Sequence, residues 1–166
     1  MLAKLMSDNG TSVSLIIPTY NERDNIHELL ERIHHSMEPL GTPYEVLIVD
    51  DDSPDETWKV ASHYSASYPV RVQRRKGKRG LATAVLEGIK ASKNDIVVVM
   101  DADLQHPPET IPQLISDVSN GTDIVIASRL VESSALEKFG LFNRTVSRGA
   151  ALFTELCSGR LEMSRI

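Results

Sequence analysis

Asp95-Ile96-Val97-Val98-Val99-Met100-Asp101-Ala102-Asp103 is an apolar, β-branched run that ends in two carboxylates two residues apart. A run with no polar alternation suits a strand buried on both faces of a parallel sheet. Its acidic end then falls at the carboxyl edge of that sheet, where open α/β sheets bind ligands. Close carboxylates repel one another and resist desolvation unless something positive lies between them. A divalent cation carrying a diphosphate meets that need. Mg²⁺ and Mn²⁺ take few protein carboxylates and share the rest of their shell with phosphate and water. Taken alone, the triplet also fits a strand end running into an acidic turn.

Outward from this run, strand and helix patterns alternate. Residues 13–17 are apolar and are closed by Pro18. Ile26, Leu29, Leu30 and Ile33 recur at helical spacing within residues 24–37. Residues 44–49 form a second strand that ends in Asp50-Asp51-Asp52. Ser53-Pro54-Asp55-Glu56 then predicts a helix start, with Ser53 as N-cap, Pro54 at the first helical position and Glu56 in the capping-box position. That helix is expected to reach residue 67. A short strand at 70–73, a helix at 81–91, a helix opened by Pro107-Pro108-Glu109 and running to 119, a strand at 123–127 and a helix at 141–157 follow. The pattern predicts an α/β fold, a mostly parallel doubly wound sheet in three αβα layers, as a single domain over residues 1–166.

Composition narrows the function classes. The chain has 166 residues, 41% hydrophobic and 25% charged, which is enough for one real core. A net charge of −5 gives no basic footprint for nucleic acid. The one cysteine, Cys157, excludes an internal disulfide and a cysteine-built zinc site, and fits a reducing compartment. The five histidines make no HExxH-type ligand pattern. Residues 1–10 lack the apolar core of a secretory signal, and no run approaches the roughly 20 apolar residues of a membrane span. A cytoplasmic protein without signal peptide or transmembrane span is expected.

Three polar segments fall at strand ends: Pro18-Thr19-Tyr20-Asn21-Glu22, Asp50-Asp51-Asp52-Ser53 and Asp101-Ala102-Asp103-Leu104-Gln105. Helix capping accounts for Ser53 and in part for Asn21. It does not account for three successive aspartates, or for the second acidic run with Gln105 after it. The basic loop Arg74-Arg75-Lys76-Gly77-Lys78-Arg79-Gly80 has three readings: a solvated loop, a phosphate-facing loop at a helix N-terminus, or attraction to an anionic membrane surface. In the last helix, Leu141, Phe142, Val146, Leu152, Phe153 and Leu156 share a broad face that either covers a core or lies on a membrane.

The ordered stretches Leu15-Ile16-Ile17-Pro18-Thr19-Tyr20-Asn21-Glu22-Arg23-Asp24-Asn25, Ile48-Val49-Asp50-Asp51-Asp52-Ser53-Pro54-Asp55-Glu56-Thr57, Lys78-Arg79-Gly80-Leu81-Ala82-Thr83-Ala84, Met100-Asp101-Ala102-Asp103-Leu104-Gln105-His106-Pro107-Pro108, Ser128-Arg129 and Ser147-Arg148-Gly149-Ala150 resemble family 2 glycosyltransferases of the GT-A fold. Within that family they are most similar to the dolichyl-phosphate mannose synthase group. The resemblance implies that Pro18, Tyr20, Glu22, Val49 and Asp51 line a nucleotide pocket, with Asp51 on the base. It implies that Asp101 and Ala102 lie along the ribose and diphosphate, and that Asp101, Asp103 and Gln105 hold Mg²⁺ or Mn²⁺. Asp103 and Arg129 would be the catalytic residues, Arg129 reaching the donor phosphates or the surroundings of the transferred sugar. Arg144, Ser147 and Arg148 would meet the acceptor phosphate. The implied partners are a nucleotide-diphospho-sugar, GDP-mannose favoured, and a polyprenyl or dolichyl phosphate, with peripheral association at the cytoplasmic membrane face.

Chemistry agrees with those residue types. Breaking a sugar–diphosphate bond leaves negative charge on the nucleotide, which a cation and arginines stabilise. A lipid phosphate is already largely anionic near neutral pH, so it needs cationic guides more than a general base. Direct attack would invert the anomeric centre. Two alternatives remain: a nucleotide-sugar-binding remnant without transfer, and a family 2 transferase using a UDP-sugar and another acceptor. A dinucleotide enzyme is disfavoured, because no GxGxxG follows the first strand and no P-loop is present.

The chain departs from the family pattern at three places. Asp52 and Glu56 replace two glycines usual in the second motif. Asn143 stands where a basic residue is common, with Arg144 one position later. The relatives continue past the point where this chain stops, so a truncation after the acceptor-side helix is expected.

Overall fold

The computed structural model describes residues 2–5, 12–77, 79–120 and 122–127. The elements are β1 (Leu2–Leu5), β2 (Val13–Thr19), α1 (Arg23–Met37), β3 (Tyr44–Asp50), α2 (Thr57–His63), β4 (Val70–Arg74), α3 (Leu81–Ala91), β5 (Ile96–Val99), α4 (Ile111–Ser119) and β6 (Ile124–Ile126). All lie in the compact unit Met1–Ala127.

The strands form one sheet in the order β4-β3-β2-β5-β1-β6. β4, β3, β2 and β5 run parallel, with Val13 opposite Tyr44 and Ile96. Their side chains explain this burial. Val13 to Thr19 are buried without a break, as are Val46 to Asp50, so both faces of these strands must be covered. Helices α1, α2 and α4 cover one face through Ile26, Leu29, Ile33, Ala61, Ile111 and Leu114. Helix α3 covers the other, over Ile16, Leu47, Val49 and Val97. Gly88 sets the approach of α3. A Cβ there would stand 2.4 Å from Ile16 Cγ2 and 3.2 Å from Val49 Cγ2, so the helix backbone rests directly on the strands. The three αβα layers of the sequence reading are present.

The structure corrects the expected elements in three places. The strand β1 was not expected. It inserts antiparallel between β5 and β6, with Leu2 opposite both Val99 and Ile126. Four residues are too few to show a period of two, and the stability of such a strand comes from the edges it pairs. Second, α2 begins at Thr57, not Pro54, and ends at His63 in a 3₁₀ turn over Tyr64–Ala66. Ser53 is no N-cap. Its Oγ donates to Asp50 Oδ2 at 2.6 Å and accepts the Asn21 N–H at 3.0 Å. Glu56 is left-handed, with φ +63°, and this breaks any helix through it. Asn21 is likewise no cap, since Glu22 occupies the cap position of α1 and no side chain caps that helix. Third, residues 108–110 form a 3₁₀ turn, and α4 proper begins at Ile111. The expected helix at 141–157 lies outside the described residues.

Because β4, β3, β2 and β5 are parallel, Arg74, Asp50, Thr19 and Met100 arrive at one edge of the sheet. Among the described residues, the non-glycine residues with positive φ are Asn21, Asp52, Glu56 and Leu104. All sit in loops leaving that edge, where strained backbone commonly marks a ligand site.

Candidate functional site

From β2 the winding goes outward to β3 and β4 on one side and to β5 on the other, which makes the β2–β5 boundary the switch point of the sheet. A cleft of about 300 Å³ opens there, lined by Pro18, Thr19, Tyr20, Glu22, Asp51, Leu81, Ala84, Asp101, Ala102 and Asp103. Seven residues singled out from the sequence therefore meet in one place: Pro18, Tyr20, Glu22, Asp51, Asp101, Ala102 and Asp103. Val49 does not line this cleft. It is fully buried beneath α3, where Gly88 lets the helix close over it. Gln105 stands outside the lining, exposed in the following turn. Arg129, Arg144, Ser147 and Arg148 lie outside the described residues. A larger groove of about 600 Å³, between α1 and the turn before α4, holds none of these residues; Arg32 and Glu109 frame it.

The three aspartates after β3 do three different things. Asp50 is fully buried and accepts from Thr19 Oγ1 (2.9 Å), Ser53 N (2.9 Å) and Ser53 Oγ (2.6 Å), tying the ends of β2 and β3 together. Asp52 pairs with Arg74, whose guanidinium lies 4.1 Å over the Trp58 ring, so its charge is spent away from the cleft. Asp51 lines the cleft at 6% exposure. Its Oδ1 accepts from Arg75 Nη1 at 2.6 Å and its Oδ2 accepts the Gly80 N–H at 2.7 Å.

A second tier of bonds holds the loop after β2 onto the loop after β3. Thr57 Oγ1 accepts the Glu22 N–H at 3.0 Å and donates to Asp55 Oδ1 at 2.6 Å, while Asp55 Oδ2 accepts the Arg23 N–H at 3.1 Å. Burial alone would push the Asp55 carboxyl up. The Thr57 hydroxyl, the Thr57 and Arg23 amides and the Arg23 charge outweigh it and hold the group below its ordinary value.

The basic loop is only partly the solvated segment that its charge suggests. Arg75 is 4% exposed and turned inward. Arg79 lies 4.7 Å over the ring of Tyr20, at the mouth of the cleft, and Lys76 is exposed. Gly80, with φ +131°, opens α3 and gives its amide to Asp51, so the anion at this helix start is the chain's own carboxylate. The sequence reading missed Arg75, Leu81 and Ala84 as neighbours of the site. The first was detectable from strand order: the register puts Asp50 opposite Arg74, so Asp51 falls beside Arg75.

The run after β5 is arranged differently. Ala102 is buried and carries Asp101 and Asp103, both exposed, into the cleft. Asp103 Oδ1 accepts the Gln105 N–H at 3.0 Å, around Leu104 at φ +58°. Among the described residues neither carboxylate has a basic partner. Nor do the described residues contain a three-membered His, Cys, Asp or Glu group able to cage a metal. Two exposed, uncompensated carboxylates suit a hard divalent cation that draws its other ligands from phosphate and water. The residues present thus fit Mg²⁺ or Mn²⁺ arriving with a diphosphate.

Comparison with known proteins bears on the family of the chain. The family model described as "Glycosyl transferase family 2" matches residues 14–159. Over 154 residues the chain is 47% identical to the dolichol-phosphate mannosyltransferase of Pyrococcus furiosus, covering 93% of this chain and 42% of that protein. It is 32% identical over 157 residues to the undecaprenyl-phosphate 4-deoxy-4-formamido-L-arabinose transferase of Yersinia enterocolitica, covering 93% of this chain and 46% of that one. Among solved structures, S. aureus TarS 1–349 in complex with UDP-GlcNAc superposes with a TM-score of 0.52 at 26% identity, covering 66% of this chain and 32% of that one. The chain spans less than half the length of these two curated relatives.

Proposed function

The chain belongs to glycosyl transferase family 2, and on that premise we propose that its cleft binds a nucleotide-diphospho-sugar, GDP-mannose foremost, whose sugar it transfers to a polyprenyl phosphate. The observation that carries this reading is the opposition, in one cleft, of the anchored Asp51 and of Asp101 and Asp103, which no cation among the described residues pairs with. The dolichol-phosphate mannosyltransferase relative supports mannose and a lipid phosphate, and the TarS complex supports a nucleotide-sugar in this fold.

Asp51 offers acceptor oxygens to a base edge that carries N–H groups, as guanine and uracil do. Tyr20 and Leu81, both exposed, supply apolar surface beside it. The small side chain of Ala102 leaves room for ribose and diphosphate between the flanking aspartates. Asp101 and Asp103 would hold Mg²⁺ or Mn²⁺, with Gln105 in the adjoining turn as a further oxygen ligand. The bound cation would supply charge stabilisation for the departing nucleoside diphosphate. Arg129 is proposed for the donor phosphates, and Arg144, Ser147 and Arg148 for the acceptor phosphate. Such an acceptor arrives as an anion, so it needs cationic guidance rather than a base, and direct attack inverts the anomeric centre. No described helix is long and apolar enough to cross a membrane. Peripheral contact at the cytoplasmic membrane face is the arrangement proposed for reaching a lipid phosphate.

The test is incubation with labelled GDP-mannose, Mn²⁺ and dolichyl phosphate, followed by extraction of lipid. The expected result is a Mn²⁺-dependent, lipid-linked mannose. Absence of a lipid-linked product from GDP-mannose and from UDP-sugars would refute transfer; if GDP still bound, the chain would be a donor-binding protein only.

A further inference from the structure

We propose that Arg75 is a positioning residue for recognition of the donor base: from behind the cleft it fixes the direction of the Asp51 carboxylate and thereby sets which bases are accepted. This rests on the donor reading above and concerns a residue that does not itself line the cleft.

The geometry is specific. The Arg75 side chain is 2% exposed, and its guanidinium is held from several directions. Nη1 donates to Asp51 Oδ1 at 2.6 Å and to the Gly80 carbonyl at 3.3 Å, and Nη2 donates to Thr83 Oγ1 at 2.6 Å. Nε lies 3.3 Å from Glu87 Oε2 without a hydrogen bond. Burying a guanidinium is costly, and an apolar side chain of similar volume would fill the site at less expense. What the arginine adds is direction. One arm of its planar guanidinium and the Gly80 amide grip the two oxygens of Asp51 separately, which restrains rotation of the carboxylate, while the other arm is held by Thr83.

Each carboxylate oxygen accepts about two hydrogen bonds, so one acceptor direction on each remains after Arg75 and Gly80 are served. A fixed acceptor-only group pairs with the N1–H and N2–H₂ of guanine or the N3–H of uracil. At adenine or cytosine one oxygen can accept from the exocyclic N6–H₂ or N4–H₂, but the other faces the lone pair of N1 or N3, and that mismatch leaves a buried acceptor unpaired. Without Arg75, Asp51 keeps a single tether, at Gly80, and no longer holds both oxygens in the direction a matched base requires. Discrimination should then fall more than affinity for a mismatched base does.

The experiment measures binding of GDP, UDP, CDP and ADP, each with Mn²⁺, to wild type, Arg75→Met and Arg75→Lys, with thermal denaturation of each. Wild type is expected to favour GDP or UDP over CDP and ADP by at least about tenfold, the scale of a single lost pairing. Arg75→Met should collapse that ratio while CDP and ADP binding stays within about twofold, and Arg75→Lys should restore part of it. If the single variant does not fold, Arg75→Met with Glu87→Gln also removes the charge that faced the Arg75 guanidinium and serves in its place. A folded variant with an unchanged base ratio, or one that weakens all four diphosphates equally, overturns the inference alone. Failure of the wild type to bind any diphosphate overturns the donor reading and this inference with it.

Discussion

The two acidic runs of this chain, Asp50-Asp51-Asp52 and Asp101-Ala102-Asp103, leave neighbouring regions of one sheet edge and are used in opposite ways. In the first, every carboxylate is met by the chain itself: Asp50 by hydroxyls and an amide, Asp51 by Arg75 and Gly80, Asp52 by Arg74. In the second, the charges stand exposed, with a backbone amide as the partner of Asp103. Identical side chains are thus held in place where cations and donors are built in, Asp51 at the cleft among them, and are left exposed where they are not. What separates them is the supply of positive partners. The β3–β4 register brings Arg74 and Arg75 beside the first run, and among the described residues no cation pairs with the second.

The contrast breaks most sharply if the second run proves structural. Asp103→Ala is expected to lower Mn²⁺-dependent transfer by about 10²-fold or more, a loss typical of removing a group that stabilises transition-state charge. Its melting temperature should stay at or slightly above that of wild type, because one of two repelling carboxylates is gone. A variant that melts well below wild type would place Asp103 in the structural class. The converse holds for the first run. Asp50→Ala leaves three buried donors without their acceptor, and at about 1 kcal/mol each it should lose about 3 kcal/mol of stability in urea denaturation.

Two smaller effects sharpen the picture. Glu56 adopts φ +63°, in the left-handed region that favours glycine. Glu56→Gly should gain about 0.5 kcal/mol, since relief of a left-handed non-glycine residue exceeds the extra chain entropy of glycine and the loss of an exposed pair with Lys59. No gain in denaturant midpoint would mean the strain is relieved elsewhere. Smallest is the acid response of Asp55. Its native carboxyl titrates below the ordinary value, so it adds stability above the unfolded pKa and loses it as pH falls through the native one. Asp55→Asn should therefore show a flatter acid limb in thermal melts between pH 6 and pH 3, whereas parallel curves would deny the shift.

Much of this architecture was legible because burial leaves a pattern in the chain. The unbroken apolar runs in β2, β3 and β5 announce strands covered on both faces, and residues 81–91 read as a helix at the same bounds in sequence and structure. The edge itself was legible because Tyr20, Asp51, Asp101 and Asp103 each follow such a run directly. What stayed hidden depends on tertiary partners. Ser53 carries the chemistry of an N-cap, yet the Asn21 amide and the Asp50 carboxylate claim it. Val49 belongs beneath α3 because a glycine forty residues away admits the helix. The strand β1 exists through its pairing with β5 and β6. Which arginine faces Asp51 follows from strand order, and no local window contains that.

A diphosphate and a divalent cation are proposed to meet at Asp101 and Asp103. Calorimetric titration of GDP into the protein, with Mn²⁺ and with Mn²⁺ chelated, tests this directly in wild type and in Asp103→Ala. GDP binding is expected to be strengthened at least about tenfold by Mn²⁺ in wild type, and to lose that strengthening in the variant at unchanged melting temperature. Equal GDP affinity with and without Mn²⁺, or Mn²⁺ dependence that survives in Asp103→Ala, would contradict it.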